Sequence, residues 1–171
     1  KFPLSLRKCK TSCNHIQIGN IIDQKEIFSD YFYMPSFSKT LTKHLQEISS
    51  DLNKRFGIEK ESLIIDIGSN DGTFLESTRQ YTNKILGIDP AKNLATIANN
   101  KGINTLNSFF TNDLAKEIRE KYGKAKFIVS TNTFAHTPEI NDFVQGVKNL
   151  ISNEGVIIIE IHYLGSMVND N

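Results

Sequence analysis

The sequence predicts a doubly wound α/β domain built on a parallel sheet, and three observations carry that reading. Ser62 to Gly72, SLIIDIGSNDG, is an apolar, mostly β-branched run that enters a glycine-bounded turn, as a central strand covered on both faces requires. Lys84 to Asp89, KILGID, is a second short apolar run that also ends on an acid, about twenty residues further on. Strand-like and helix-like stretches then alternate as far as Ile161, the pattern of strand and crossover helix.

Taken in order, the chain opens with RKCKTSC, placing Cys9 and Cys13 four residues apart. Three readings are open for the pair: half of a tetrahedral zinc site, a redox pair, or two ordinary small residues. His15 follows closely as a further possible ligand or a plain surface residue. Phe28 to Phe37, FSDYFYMPSF, is the most aromatic stretch, and Pro35 argues against helix within it. From Ser38 onward Leu41, Leu45, Ile48, Leu52 and Phe56 recur at helical spacing. Ser36 or Ser38 is the expected cap of that covering helix and Gly57 its stop. The expected organisation is therefore residues 1–37 as a small module and aromatic connector, 38–62 as covering helix and lead-in, and 63–171 as the sheet domain.

Within the sheet domain, Leu63 to Ile67 is the first strand, with Asp66 near its end, and Thr73 to Glu76 begin a helix behind the turn. Lys84 to Asp89 is the second strand. Ala91 to Asn100 reads as helix, Gly102 as its stop, and Ile103 to Leu106 as the third strand. Thr111 to Tyr122 reads as helix, Ala125 to Ser130 as the fourth strand, Pro138 to Ile151 as helix and Gly155 to Ile161 as the fifth strand. Right-handed crossovers favour the order 3-2-1-4-5, with a ligand crevice at the strands' carboxyl ends. Asp66, Asp89 and Asn132 fall on that rim.

A formal net charge of +1 over 171 residues, with lysines and acids interspersed, gives no basic field for nucleic acid. No apolar run approaches a membrane span. A cytoplasmic setting is the expectation from this composition, since two cysteines make no disulfide framework. The lack of an initiator Met and of a signal-like leader leads us to expect a sequence that begins inside a longer protein.

The turn after the first strand decides the cofactor class. A nicotinamide dinucleotide fingerprint places three glycines as G-x-G-x-x-G, so that pyrophosphate sits on the helix N-terminus. Here the spacing is Gly68, Asn70, Gly72, with acids at Asp66 and Asp71. Carboxylates there repel a pyrophosphate and suit an ammonium. The turn resembles motif I of the class I S-adenosylmethionine (SAM) methyltransferases, D/E-x-G-x-G-x-G, with Asn70 at the middle glycine. Asp89 is the expected ribose ligand, a role compatible with capping the next helix.

More of the chain carries a narrower likeness. PLSLRKCKTSCNHIQIG, FSDYFYMPSFS, DIGSNDGTFL, GIDPAKNLA and NTFAHTPEINDFVQGVKNLISNEGVIIIEIHYLGSMV resemble, in that order, the sugar C-methyltransferases that act on nucleotide-linked keto-deoxysugars. That resemblance implies a cysteine-rich zinc module, a SAM-binding domain of Rossmann-like class I fold, and methyl transfer to a carbon beside a keto group through an enolate. It implies Cys9 and Cys13 as zinc ligands, the zinc being structural and dependent on an upstream cysteine pair. Gly68, Ser69 and Asn70 then approach the methionine part, with Asp66 on its ammonium, Gly72 closing the turn, Asp89 on the ribose, and Pro90 and Ala91 flanking the adenine. Ser108, Phe109 and Phe110 form the adenine wall or else belong to the core. Asn132 and Thr133 line the methyl end. His136, with Tyr31 or Tyr33 from the aromatic segment, faces the acceptor as proton carrier or as binding group; an imidazole near pH 7 suits either.

The sequence departs from that family at its end. The Y-H-E-H cluster that supplies the family's base does not follow LGSMV before Asn171, and the C-terminal strands are missing. We therefore expect an internal fragment that binds SAM weakly alone, with Ile157, Ile158, Ile159 and Ile161 on an exposed apolar edge. Two other classes stay open: a SAM-dependent O- or N-methyltransferase of another small molecule, and a nicotinamide oxidoreductase or non-catalytic binding domain on the same fold.

Overall fold

A computed structural model describes residues 3, 5–11 and 13–169. Parallel strands form because each apolar run is followed by a helix too long for a hairpin return. The five strands of the main sheet are β3 (Ile64–Ile67), β4 (Ile85–Asp89), β5 (Thr105–Asn107), β6 (Ala125–Thr131) and β7 (Ile151–Glu160). Their order is β5-β4-β3-β6-β7, all neighbours parallel, with Ile64 facing Ile85 on one side and Phe127 on the other. This is the expected 3-2-1-4-5 arrangement.

Two apolar layers cover the sheet. On one face α2 (Lys39–Phe56), α3 (Thr73–Thr78) and α4 (Lys92–Asn100) bury Leu45, Leu52, Phe74 and Ala98 against Ile64, Ile85, Phe127 and Val129. On the other, α5 (Asn112–Tyr122) and α6 (Ile140–Leu150) bury Ile118, Phe143, Val147 and Leu150 against Ile65, Ile67, Leu86 and Ile128. Successive strand residues serve opposite layers because side chains alternate across a strand. α2 begins at Ser38, whose hydroxyl accepts from the Leu41 N–H at 3.3 Å, and ends at Gly57. Thr111 caps α5 in the same way.

Boundaries differ from expectation at the third strand, at the last long helix and at the fifth strand, which runs from Ile151 to Glu160 rather than from Gly155 to Ile161. The third strand starts at Thr105 rather than Ile103, because Ile103 is fully buried against the α4 face while its carbonyl accepts from Thr105 Oγ1. The last long helix starts at Ile140, two residues beyond Pro138, and β7 begins as soon as that helix ends at Leu150. β7 is a sheet edge among the described residues, with Ile157, Ile159 and Ile161 exposed and Ile158 half-buried, close to the expected apolar edge.

Ahead of the sheet, β1 (Leu6–Lys8) and β2 (Ile16–Ile18) make an antiparallel hairpin whose strand residues are all exposed. A short helix α1 (Gln24–Phe28) follows, then a 3-10 turn at Pro35–Phe37. A final helix α7 spans Leu164–Asn169. Among the described residues no helix is long and apolar enough to cross a membrane.

Candidate active site

β3 delivers the chain to the turn, and the turn is built from left-handed residues. Gly68, Asn70 and Gly72 have φ of +79°, +52° and +80°, a conformation glycine adopts freely and asparagine tolerates. Gly68 has a further constraint, since a Cβ there would stand 1.9 Å from Thr133 Oγ1. The Asn70 backbone N–H donates to Asp89 Oδ2 at 2.7 Å, as any residue's would. Its side chain adds what a glycine could not: Oδ1 accepts from the Asp71 N–H at 2.7 Å, and Nδ2 donates to the Tyr33 carbonyl at 2.9 Å. The polar residue in place of the middle glycine thus ties the turn to the aromatic connector.

The acids of the turn separate into three environments. Asp71 is buried and accepts from Thr73 Oγ1 at 2.6 Å and from Lys101 Nζ at 3.3 Å. Burial pushes its carboxyl up, but the Ser36 and Thr73 hydroxyls and the Lys101 ammonium outweigh it and hold the group below its usual range. Asp89 accepts from Asn70 and from the Ala91 N–H at 2.8 Å, which caps the approach to α4; burial leaves it raised despite these bonds. Asp66 is the outlier. It is 2% exposed, its Oδ1 has no partner among the described residues, and burial together with the Asp89 charge pushes it up to about 8. Ser69 Oγ, in the same turn, is likewise buried without a partner. Buried polar atoms normally find partners, so these two orphans beside the turn leave room for polar groups that a ligand would bring.

A cleft open to solvent lies at the carboxyl ends of β3, β4 and β6, where doubly wound sheets bind their ligands. Of the residues singled out from sequence, Gly68, Asp89, Pro90, Ala91, Ser108, Phe109, Phe110, Asn132, Thr133, His136 and Tyr31 line it. Asp66, Ser69, Asn70 and Gly72 lie behind its wall, and Tyr33 turns its ring outward, 54% exposed, offering the turn its carbonyl instead. Tyr31 and Tyr33, inseparable by sequence, are thereby told apart. Phe110 also packs edge-on to Phe143 at 5.1 Å, so it serves core and cleft together.

Residues that sequence reasoning missed close the cleft from the N-terminal side. Gln24 of α1 donates its side-chain amide to the His136 carbonyl, and Phe28 packs against both Tyr31 and His136 with tilted rings, 5.7 and 5.4 Å from theirs. Asn93 of α4 grips Tyr31 through both backbone groups, accepting from its N–H at 3.2 Å and donating to its carbonyl at 2.7 Å. One signal for α1 was present: Asp23 followed by Glu26 spells a helix start, and Asp23 does cap it. The contacts to His136 and Tyr31 span 112 and 62 residues and leave no local mark.

Cys9 and Cys13 are free thiols in the loop of the β1–β2 hairpin. Hydrogen bonds from the Thr11 hydroxyl and backbone, then from Cys13, lower the Cys9 thiol to about 6. Among the described residues no group of three or more His, Cys, Asp or Glu side chains converges as a metal requires. The pair therefore offers two donors where tetrahedral zinc needs four, and no zinc site closes within these residues.

The sheet order, the glycine turn after its central strand and the cleft above it define the class I SAM-dependent methyltransferase fold. Solved structures agree: the plantazolicin methyltransferase BpumL, in complex with a triazolic desmethylPZN analogue and S-adenosylhomocysteine (SAH), superposes with a TM-score of 0.61 at 19% identity over 78% of this chain and 52% of that one. A S-adenosylmethionine-dependent methyltransferase of Clostridium acetobutylicum superposes at 0.59 with 14% identity over 75% and 54%. A methyltransferase-domain family model matches residues 41–168, and the chain belongs to that family. C-methyltransferase NovU of Streptomyces niveus is 31% identical over 170 residues, 99% of this chain. The chain spans 40% of the length of that relative.

Proposed function

We propose that this chain is the cofactor-binding part of a SAM-dependent C-methyltransferase whose acceptor is a nucleotide-linked keto-deoxysugar. The observation that carries the cofactor half is the orphaned, buried carboxyl oxygen of Asp66 beside a cleft lined by Asp89. Burial keeps the Asp66 carboxyl protonated until a cation such as an ammonium arrives to draw off its proton, and Asp89 offers acceptors to a ribose, whereas a diphosphate finds no partner in either acid. Bound in this cleft, SAM supplies an electrophilic methyl group. Asp66 and Ser69 receive the polar end of its amino-acid part, Asp89 takes ribose hydroxyls on lone pairs left by Asn70 and Ala91, and Pro90, Ser108 and Phe109 enclose the base.

The sugar half rests on Tyr31 and His136 facing the same cleft and on the likeness to a C-methyltransferase. A carbon acceptor must lose a proton before it can attack. His136, braced by Phe28, is the chain's proton carrier or hydroxyl ligand at that end, while Tyr31 orients the sugar and shields the methyl end from water. A structural zinc would need two donors beyond Cys9 and Cys13. O- or N-methyl transfer to another small molecule uses the same cofactor contacts and is the second reading.

Titration calorimetry of the full-length protein with SAH and, separately, with NADH tests the cofactor. Heat with SAH and none with NADH is expected; the reverse overturns the proposal. Mass spectrometry of the product from nucleotide-linked keto-deoxysugars then distinguishes carbon from oxygen methylation.

A further inference from the structure

We infer that Glu160, clamped by His44, is a positioning residue that fixes the cleft wall at Asn132 and Thr133; this rests on the cofactor reading above. Asn132 follows β6 with φ of +54°, a left-handed bend that asparagine tolerates and that turns the chain out of the strand into the cleft wall. Its neighbour Thr133 stands so near the glycine turn that a Cβ at Gly68 would meet Thr133 Oγ1 at 1.9 Å. A wall with so little clearance must be held from behind.

Glu160 holds it. The Asn132 N–H donates to the Glu160 carbonyl at 2.8 Å, and Asn132 Nδ2 donates to Glu160 Oε1 at 3.3 Å. The second carboxylate oxygen, Oε2, lies 2.5 Å from His44 Nε2. Both oxygens are thus engaged, which fixes the carboxylate's rotation. Glu160 is the last residue of β7 and His44 lies in the second turn of α2, so one side chain joins edge strand, covering helix and cleft lip. Neither Glu160 nor His44 lines the cleft, whereas Asn132 and Thr133 do. Their effect on a ligand therefore passes through Asn132.

The test uses the full-length protein, SAH as probe, and amide hydrogen exchange at Asn132 and Thr133. E160A is expected to weaken SAH binding about tenfold, the scale of a small misplacement in a binding wall, and to speed exchange at both amides. E160Q keeps an acceptor for Asn132 and a partner for the imidazole, so it restores most of the affinity. H44A speeds exchange at Asn132 without lowering the melting temperature, which keeps the test open should E160A fail to fold. Glycine adopts a positive φ freely and lacks the Nδ2 donor, so E160A should cost little further affinity in an N132G background. Additive E160A and N132G effects, or wild-type affinity and exchange in both E160A and H44A, overturn the inference. A wild-type protein that binds no SAH overturns the cofactor reading instead, and exchange in H44A and E160A then decides the clamp alone.

Discussion

Asp66 makes the sharpest residue-scale prediction. In the folded chain its carboxyl is raised to about 8, whereas in an unfolded chain it returns to the usual aspartate value near 3.8. Between those values the native state keeps a proton that the unfolded state has released, so stability is fullest at the acid end and falls as pH rises through this window. The slope from this one group is on the order of 1.4 kcal/mol per pH unit. Asp66→Asn removes it: melting temperatures recorded from pH 5 to 8 should decline less in the variant, and the variant should be the more stable at pH 8. Gly68→Ala makes the opposite kind of prediction. A methyl group at φ of +79° and 1.9 Å from Thr133 Oγ1 strains the turn and displaces the cleft wall. Urea denaturation should show a loss of about 2 kcal/mol or more, with SAH binding abolished. Asn70 teaches the complementary lesson, because its side chain explains why this turn carries asparagine: two side-chain hydrogen bonds, to Asp71 and Tyr33, come with the left-handed backbone.

At the scale of elements, the connector between α1 and α2 matters more than its lack of regular structure suggests. Tyr31 is placed by Asn93 of α4, Tyr33 by Asn70 of the turn, and Phe28 by its tilted ring contact with His136. Asn93→Ala removes two hydrogen bonds from one backbone residue and should cost about 1 to 2 kcal/mol of local order. Because the connector covers the cleft and not the core, the loss should appear chiefly as weaker SAH binding, with chemical denaturation of the sheet domain little changed; calorimetry and denaturation run on the same preparation separate the two. The strands and long helices were legible in sequence because their apolar periods report which face is buried, as Leu45 and Leu52 on α2 show. The third strand was misplaced by two residues because Ile103 is buried without being in the ladder, and burial alone does not distinguish those states.

At the scale of the molecule, β7 leaves Ile157 and Ile159 exposed, 38 and 40% respectively, on a sheet edge among the described residues, and Ile161 just beyond it is 48% exposed. An apolar edge strand pairs readily with another copy. Ile159→Lys should therefore reduce self-association of this chain in sedimentation velocity while changing stability by no more than about 0.5 kcal/mol, as for other surface substitutions.

The sheet order and the turn followed from sequence, since each rests on local information: β-branched runs, glycine at a bend, an acid ending a strand; the other residues of the cleft rim were named through the family resemblance. What tertiary structure alone decided are the relations between distant residues. It put Tyr31 and not Tyr33 in the cleft, gave Asn93, Phe28 and Gln24 their contacts, left Asp66 buried with an unpartnered oxygen, and brought His44 to Glu160 across 116 residues. Side chains meet across the fold only after the layers have packed, and no periodicity along the chain encodes which of them will face each other.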